Sequence, residues 1–542
     1  MNSNEVQPEG AVLMLQGTAS DVGKSVITTA LCRIFKQDGF RVAPFKSQNM
    51  ALNSYVTPDG LEIGRAQGVQ AEACGIPAVT DMNPILIKPT GDMHSQVVVH
   101  GRPLSHMSAA AYRSEFLPTA KPVVLDALAR LRSRFDIVVM EGAGSPAEIN
   151  LKDRDIVNMN LAGWADAPVL LVADIDRGGV FAFLVGTLEL LTRSERARVR
   201  GFIINKFRGD LALLKPGLDW LEERTGIPVL GVLPFLPDLE IEAEDSVVLD
   251  SYPVAAIGRH IDIAVIRYPR ISNFTDFDPL GAEEDVSLRY VSRAEELGIP
   301  DVIILPGSKN TIADLGFLRD QGLDKAIALA MRKPETRLVG ICGGYQMLGR
   351  SITDPEAYDS AMAGQTEGLG WLPVDTVFQA EKRTTRVSGY VLPDQLHSLC
   401  TDESAVRVEG YEIHMGDTRW CEEYSPRPLF ELSDASSPSD KRWIEGAVSW
   451  LEGAISEDGT VMGTYLHGVF ENDNWRRAWL NGIRVKKGLE PVDFTFYTAE
   501  RKERAFDRLA AAAREHLNLE RIYEIAGLRK QSSDGMSKVS GK

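Results

Sequence analysis

A short apolar run from Ala11 to Gln16 opens into Gly17, Thr18, Ala19, Ser20, Asp21, Val22, Gly23, Lys24 and Ser25, and a helical pattern begins at once. A strand that turns through glycines into a helix carrying Lys-Ser is a phosphate-binding loop. Its backbone N–H groups and helix N-terminus hold phosphates, Lys24 reaches the outer ones, and Ser25 can ligate magnesium. Gly17, Thr18, Asp21, Val22, Gly23, Lys24 and Ser25 are therefore the expected ATP-binding residues, with one more residue between the glycines than the usual spacing has. Apolar strands alternate with helical stretches from there to about Pro234, which predicts a doubly wound, mostly parallel α/β sheet.

Further polar groups stand at the ends of the strands that follow. Arg41 to Phe45 ends in Lys46, where a lysine can neutralise a transferring phosphoryl group or a substrate carboxylate. Phe135 to Met140 ends in Glu141, Gly142, Ala143 and Gly144, so Glu141 has the position of a magnesium ligand alongside Ser25. The strands Pro168 to Ala173 and Gly201 to Ile204 end in Asp174 and Asn205.

A charged, irregular segment from Glu240 to Arg259 precedes a fresh α/β start at Ile261. The expected organisation is a synthetase unit over 1–245, a linker over 246–260, a second α/β unit over 261–485, and over 486–542 C-terminal surface helices at Glu503 to His516 and Leu519 to Leu528 with a disordered tail. In the second unit, strands are expected at Val302 to Leu305, Arg337 to Ile341 and Ala405 to Val408. The run Arg337 to Ile341 stops at Cys342, Gly343 and Gly344, and helical residues follow, which is the pattern of a nucleophile elbow. Such a turn exposes the sulfur beside a helix N-terminus. The loop Pro306 to Thr311 follows another strand, so the backbones of Gly307 and Gly343 are candidates for an oxyanion hole.

Five cysteines without close pairing argue against a disulfide framework or a zinc site. The formal net charge of −17 disfavours general nucleic-acid binding, and no apolar run is long enough to span a bilayer. Without a signal-like N-terminus, the expected location is cytoplasmic.

Cys342, taken together with Gly463 to Phe470 around His467, resembles the class I glutamine amidotransferases, which are flavodoxin-like and use a cysteine and a histidine to release ammonia from glutamine. The long phosphate loop resembles dethiobiotin synthetase and its relatives. Longer phrases sharpen the likeness: Pro44 to Ser54, Glu62 to Gln67 and Asn83 to Pro89 are similar to the glutamine-hydrolysing cobyric acid synthase family, and Arg270 to Leu280 and Glu412 to Gly416 resemble the cobyric acid and cobyrinic acid amidotransferase branch. The resemblance implies ATP and Mg²⁺ as cofactors and L-glutamine as nitrogen source. The implied substrate is adenosylcobyrinic acid a,c-diamide, amidated at its b, d, e and g carboxylates through acyl phosphates. It further implies Asn205 as adenine reader. Lys46, Arg65 and Lys88 are then the candidate cations for substrate and phosphoryl group. The rival readings are a cobyrinic acid a,c-diamide synthase and a partition-type positioning ATPase. Amidotransferases commonly carry an acid two residues after the histidine, where this chain has Val469. Either a Cys-His dyad operates or another group orients His467, and oligomeric state stays open.

Overall fold

Six of the seven residues of Ala11–Gly17 (β1) are buried without alternation, as a strand covered by helices on both faces requires. The computed structural model describes residues 9–90, 94–237, 239–242, 244, 246–252, 258–359, 363–399, 405–435, 449–493 and 496–529; the tail expected to be disordered lies outside them. After the loop, Lys24–Gln37 forms α1, whose Ile27, Leu31, Ile34 and Phe35 return every three to four residues to the sheet. Val42–Phe45 (β2), Ile137–Glu141 (β3), Val169–Asp174 (β4), Val199–Phe207 (β5) and Val229–Pro234 (β6) complete a six-stranded parallel sheet in the order β6-β5-β4-β1-β3-β2. The loops after β1, β2 and β3 leave the same carboxyl edge, which brings the phosphate loop, Lys46 and Glu141 together.

Between β2 and β3 the chain adds two features that the strand pattern did not announce. Arg65–Cys74 forms α2, and a side sheet is built from Gln48–Met50, Ile85–Pro89, His94–Val99 and Arg102–Ser108. The second unit has its own sheet: Ile261–Ile266 (β7), Val286–Val291 (β8), Val302–Leu305 (β9), Arg337–Ile341 (β10), Ala454–Ile455 (β11) and Val461–Thr464 (β12), ordered β8-β7-β9-β10-β12-β11. It is parallel except for β11, which runs antiparallel to β12. Both units are thus α/β, as expected.

Three expectations need correction. The strand expected at Ala405 to Val408 does not join this sheet; Arg407–Trp420 pairs antiparallel with Val374–Val391 in a long hairpin. That hairpin reaches the first unit, where Arg386 donates to the Val56 carbonyl at 2.8 Å. Within the expected linker, Leu249 is buried in the core of the second unit. Finally, Thr498–His516 (α4) and Leu519–Ala526 (α5), read as surface helices, each bury one face. Leu509, Ala513, Ile522 and Tyr523 pack with Leu31, Ile34 and Phe35 of α1, and Arg33 pairs with Glu503 and Asp507. The charged repeats in these helices concealed an apolar stripe worth about 1.5–3 kcal/mol per large side chain buried.

Candidate active site

The phosphate loop is closed upon itself. Gly17 has no room for a side chain, because a Cβ would lie 2.8 Å from Lys24 Nζ and 2.7 Å from Val22. Lys24 Nζ donates to the carbonyls of Ala19 (3.0 Å) and Gly144 (3.1 Å), and burial pushes its pKa below the usual lysine value. The Asn205 side-chain amide donates to the Val22 carbonyl at 2.9 Å, so that residue sits at the loop. Thr18, Asp21 and Gly23 fall within the same turn, with Gly23 at φ 94° capping α1.

Ser25 Oγ donates to Glu141 at 2.8 Å, and Lys46 Nζ lies 3.0 Å from the same carboxylate oxygen. Burial alone would favour neutral Lys46, but Glu141 and Glu244 more than offset it and hold the ammonium charged. Burial likewise favours protonated Glu141, and Lys46 reverses this to keep the carboxylate ionised. A hydroxyl and a carboxylate this close are hard oxygen donors of the kind magnesium takes. Sequence reasoning missed Glu244, which lies in the segment read as irregular. Its carboxylate accepts from Ser25 Oγ (3.3 Å), from Lys46 Nζ (3.3 Å) and from the Asn49 amide. These groups line a cleft of about 1320 Å³ whose walls also include Met50, Met107 and Tyr112.

Arg65 and Lys88 are not in that cleft, contrary to expectation. Lys88 Nζ is buried 2.6 Å from both Glu62 and Ser54 Oγ, and Lys382 from the hairpin meets the other Glu62 oxygen. Arg65 is 3% exposed, with an ion pair to Glu242 at 3.1 Å and a hydrogen bond to Thr275 Oγ1 at 3.0 Å. The reason is electrostatic: a cation buried this deeply needs a carboxylate beside it, and both have spent their charge on one.

In the second unit, Cys342 follows β10 and caps the six-residue helix Gly343–Leu348 (α3). Its φ of 51° is left-handed, the strained conformation of an elbow. Gly344 must be glycine here, since a Cβ would lie 1.9 Å from the Leu305 carbonyl oxygen. The Gly307–Ser308 stretch packs against this turn: a Cβ on Gly343 would lie 2.8 Å from Ser308 N, and one on Gly307 would lie 3.5 Å from His467 Cε1. Gly307 therefore borders the imidazole, and Gly343, the residue after Cys342, packs against the Gly307–Ser308 stretch.

His467 follows β12, the neighbour of β10, so that adjacent strand ends deliver cysteine and histidine to one place. The buried ring stacks on Tyr411, and its Nδ1 lies 2.6 Å from Asp276 Oδ2. Burial alone would lower the His467 pKa, but Asp276, and then Cys342, raise it to about 10. Glu471, the acid nearest in sequence, pairs with Lys502 instead. Val469 is buried in the core. His414 Nδ1–H donates to the Gly416 carbonyl at 2.8 Å, and the ring stacks on Tyr465 and is driven neutral by burial, with a pKa lowered to about 3. That suits a structural histidine. Asp276 was not legible because 191 residues separate it from His467; only the surrounding phrase Arg270 to Leu280 stood out.

Two family models match the chain: a CobQ/CobB/MinD/ParA nucleotide binding domain over residues 13–248 and a CobB/CobQ-like glutamine amidotransferase domain over residues 262–475. Curated relatives extend the match to nearly full length. The chain is 52% identical to a cobyric acid synthase of Desulforamulus reducens, covering 95% of this chain and 98% of that one. It is 52% identical to those of Geobacillus kaustophilus and Klebsiella pneumoniae, each over 95% of this chain and 97% of the relative. With both catalytic units matched and half of all residues shared from end to end, the chain belongs to the cobyric acid synthase family of glutamine-hydrolysing ligases.

Proposed function

We propose that the protein amidates the b, d, e and g side-chain carboxylates of adenosylcobyrinic acid a,c-diamide, using ATP and glutamine, in the cytoplasm. The observation that carries this reading is one chain holding both a Ser25, Glu141 and Lys46 cluster on a phosphate loop and a Cys342 elbow beside His467. A positioning ATPase would share the phosphate loop but would have no use for Cys342 and His467. The apolar side chains in the cleft wall suit a large ring with charged arms.

In the amidotransferase unit, Cys342 Sγ attacks the glutamine amide carbon while the carbonyl oxygen turns towards the backbones of Gly307 and Gly343. His467, protonated beside the attacking Cys342 thiolate, gives its proton to the departing ammonia; the neutral imidazole then takes a proton from the water that cleaves the thioester, releasing glutamate and restoring the thiolate and protonated His467. In the synthetase unit, a carboxylate oxygen of the corrinoid attacks the γ-phosphorus of ATP and ADP leaves. Ammonia then attacks the acyl carbon and phosphate leaves with the C–O bond pair. Lys46 offsets the negative charge of carboxylate and phosphoryl group, and Lys24 holds the outer phosphates. Magnesium, with Ser25 and Glu141 as its protein donors, would supply further charge neutralisation there.

The test is incubation with ATP, magnesium, glutamine and the diamide corrin, followed by mass spectrometry. Four ATP-dependent conversions of carboxylate to amide are expected. No ATP-dependent change in corrin mass, or a change only with the unamidated corrin acid, would reject the reading.

A further inference from the structure

The turn that carries Asp276 belongs to the amidotransferase unit but is gripped by the nucleotide-binding unit. Asn273 enters it with a left-handed φ of 52°, and Phe274–Phe277 makes one 3₁₀ turn. Phe274 and Phe277 are buried in the core of the second unit, while Thr275 and Asp276 point elsewhere. Asp276 presents both carboxylate oxygens to the histidine segment, one to His467 Nδ1 at 2.6 Å and one to the Gly468 N–H at 3.2 Å. Thr275 Oγ1 accepts from Arg65 at 3.0 Å, and Asn273 Oδ1 accepts from the Ser54 N–H at 3.2 Å. Both donors come from the first unit. Arg65 is itself fixed by Glu242, which Lys502 of α4 pairs from the other side at 2.6 Å.

We propose that Arg65, in the nucleotide-binding unit, is a positioning residue for glutamine hydrolysis: it holds the 273–277 turn so that Asp276 orients His467 towards Cys342. The inference rests on the reading that Cys342 and His467 hydrolyse glutamine. An acid on Nδ1 commits that nitrogen to a proton and leaves Nε2 for the thiol. Asp276 thereby takes the place of the acid that Val469 cannot supply. The carboxylate itself needs holding, because a sub-ångström drift of a turn weakens a short charged hydrogen bond steeply. The groups facing His467 are Asp276, Cys342, the Asn273 amide and the Tyr411 ring, with His414 further off. Asp276 is therefore the anion that sets the imidazole's charge beside the thiol.

The experiment uses the full-length chain and three variants, Asp276→Asn, Thr275→Val and Arg65→Lys, with Cys342→Ser as control. Thr275→Val removes only the hydroxyl that Arg65 grips and keeps the volume, so it tests the brace without opening a cavity. Glutaminase turnover, its pH profile and the rate of Cys342 alkylation by iodoacetamide are read together with ammonium-driven amidation. Asp276→Asn should lower glutaminase kcat by at least about 100-fold, since a mis-set tautomer has cost more than that in a serine protease triad. Thr275→Val and Arg65→Lys should lower it by about 10-fold, the scale of one hydrogen bond to a charged group, with little change in KM for glutamine. In Asp276→Asn the alkaline limb of Cys342 alkylation should move to lower pH. Wild-type turnover and pH profile in Thr275→Val and Arg65→Lys would overturn the brace. Equal loss of glutamine-driven and ammonium-driven amidation would overturn it too, by showing a general structural role. If Cys342→Ser keeps glutaminase activity, the reading beneath the inference fails instead.

Discussion

Lys46 Nζ lies 3.0 Å from the Glu141 carboxylate, an ion pair that joins the ends of two neighbouring parallel strands inside the nucleotide-binding cleft. Both side chains are buried, at 6% and 1% exposure, so the pair is hardly screened by solvent. Such a charge is preorganised for a reaction in which a carboxylate meets a phosphoryl group. Lys46→Ala is expected to lower amidation by on the order of 100-fold or more with either glutamine or ammonium as nitrogen source. Steady-state kinetics with the diamide corrin checks this; wild-type turnover would make Lys46 a structural cation.

Glu141→Gln keeps the shape of the acid and removes its charge. It should abolish amidation from both nitrogen sources while basal glutaminase activity survives, and Lys24→Ala should do the same. A Glu141→Gln protein with unchanged magnesium dependence would take that acid out of the metal site.

Glu244 brings a second carboxylate to Ser25 and Lys46, where its charge would repel incoming phosphates and compete for their cation. Glu244→Ala should therefore lower the KM for ATP several-fold, about 1 kcal/mol of relieved repulsion at partly exposed distances of this kind. ATP hydrolysis without corrin should rise. Loss of amidation at saturating ATP and magnesium would show that Glu244 acts in the chemistry.

The His467 pKa gives a prediction about stability. Burial lowers it and Asp276 raises it further, to about 10 from an ordinary 6.5. A raised histidine pKa contributes stability that is fully present below about pH 6.5 and is lost as pH climbs through about 10. Asp276→Asn should thus melt below wild type at pH 7, with the gap closing at alkaline pH. A gap that is constant from pH 6 to 10.5 in thermal-shift measurements would contradict this charge state.

Much of this was readable from residues, for reasons that are local. The phosphate loop, the elbow at Cys342 and the strand before Glu141 are each contiguous stretches in which glycine conformations and apolar runs dictate a turn. Asp276 and Glu244 were not readable, because an acid in an irregular segment acquires meaning only from what folds against it. Arg65 and Lys88 were misread for the same reason. Their charge suggested a polyanionic substrate, but Glu242 and Glu62 meet them in the interior. The hairpin Val374–Val391 with Arg407–Trp420 was obscured because its half-exposed strands lack the buried apolar run of a parallel sheet.

That correction has its own consequence. Lys88→Met should leave the KM for corrin unchanged and instead destabilise the fold by about 3 kcal/mol, the scale of breaking a buried pair. A raised corrin KM at unchanged stability would restore Lys88 to the substrate site.

The central claim is that Cys342 makes ammonia for a separate ATP-dependent site in the same chain. It is tested most directly by assaying Cys342→Ser amidation of the diamide corrin with glutamine and, separately, with ammonium chloride. The account predicts that glutamine-driven synthesis disappears while ammonium-driven synthesis stays at the wild-type rate. Equal loss with both nitrogen sources, in a protein that melts like wild type, would contradict it.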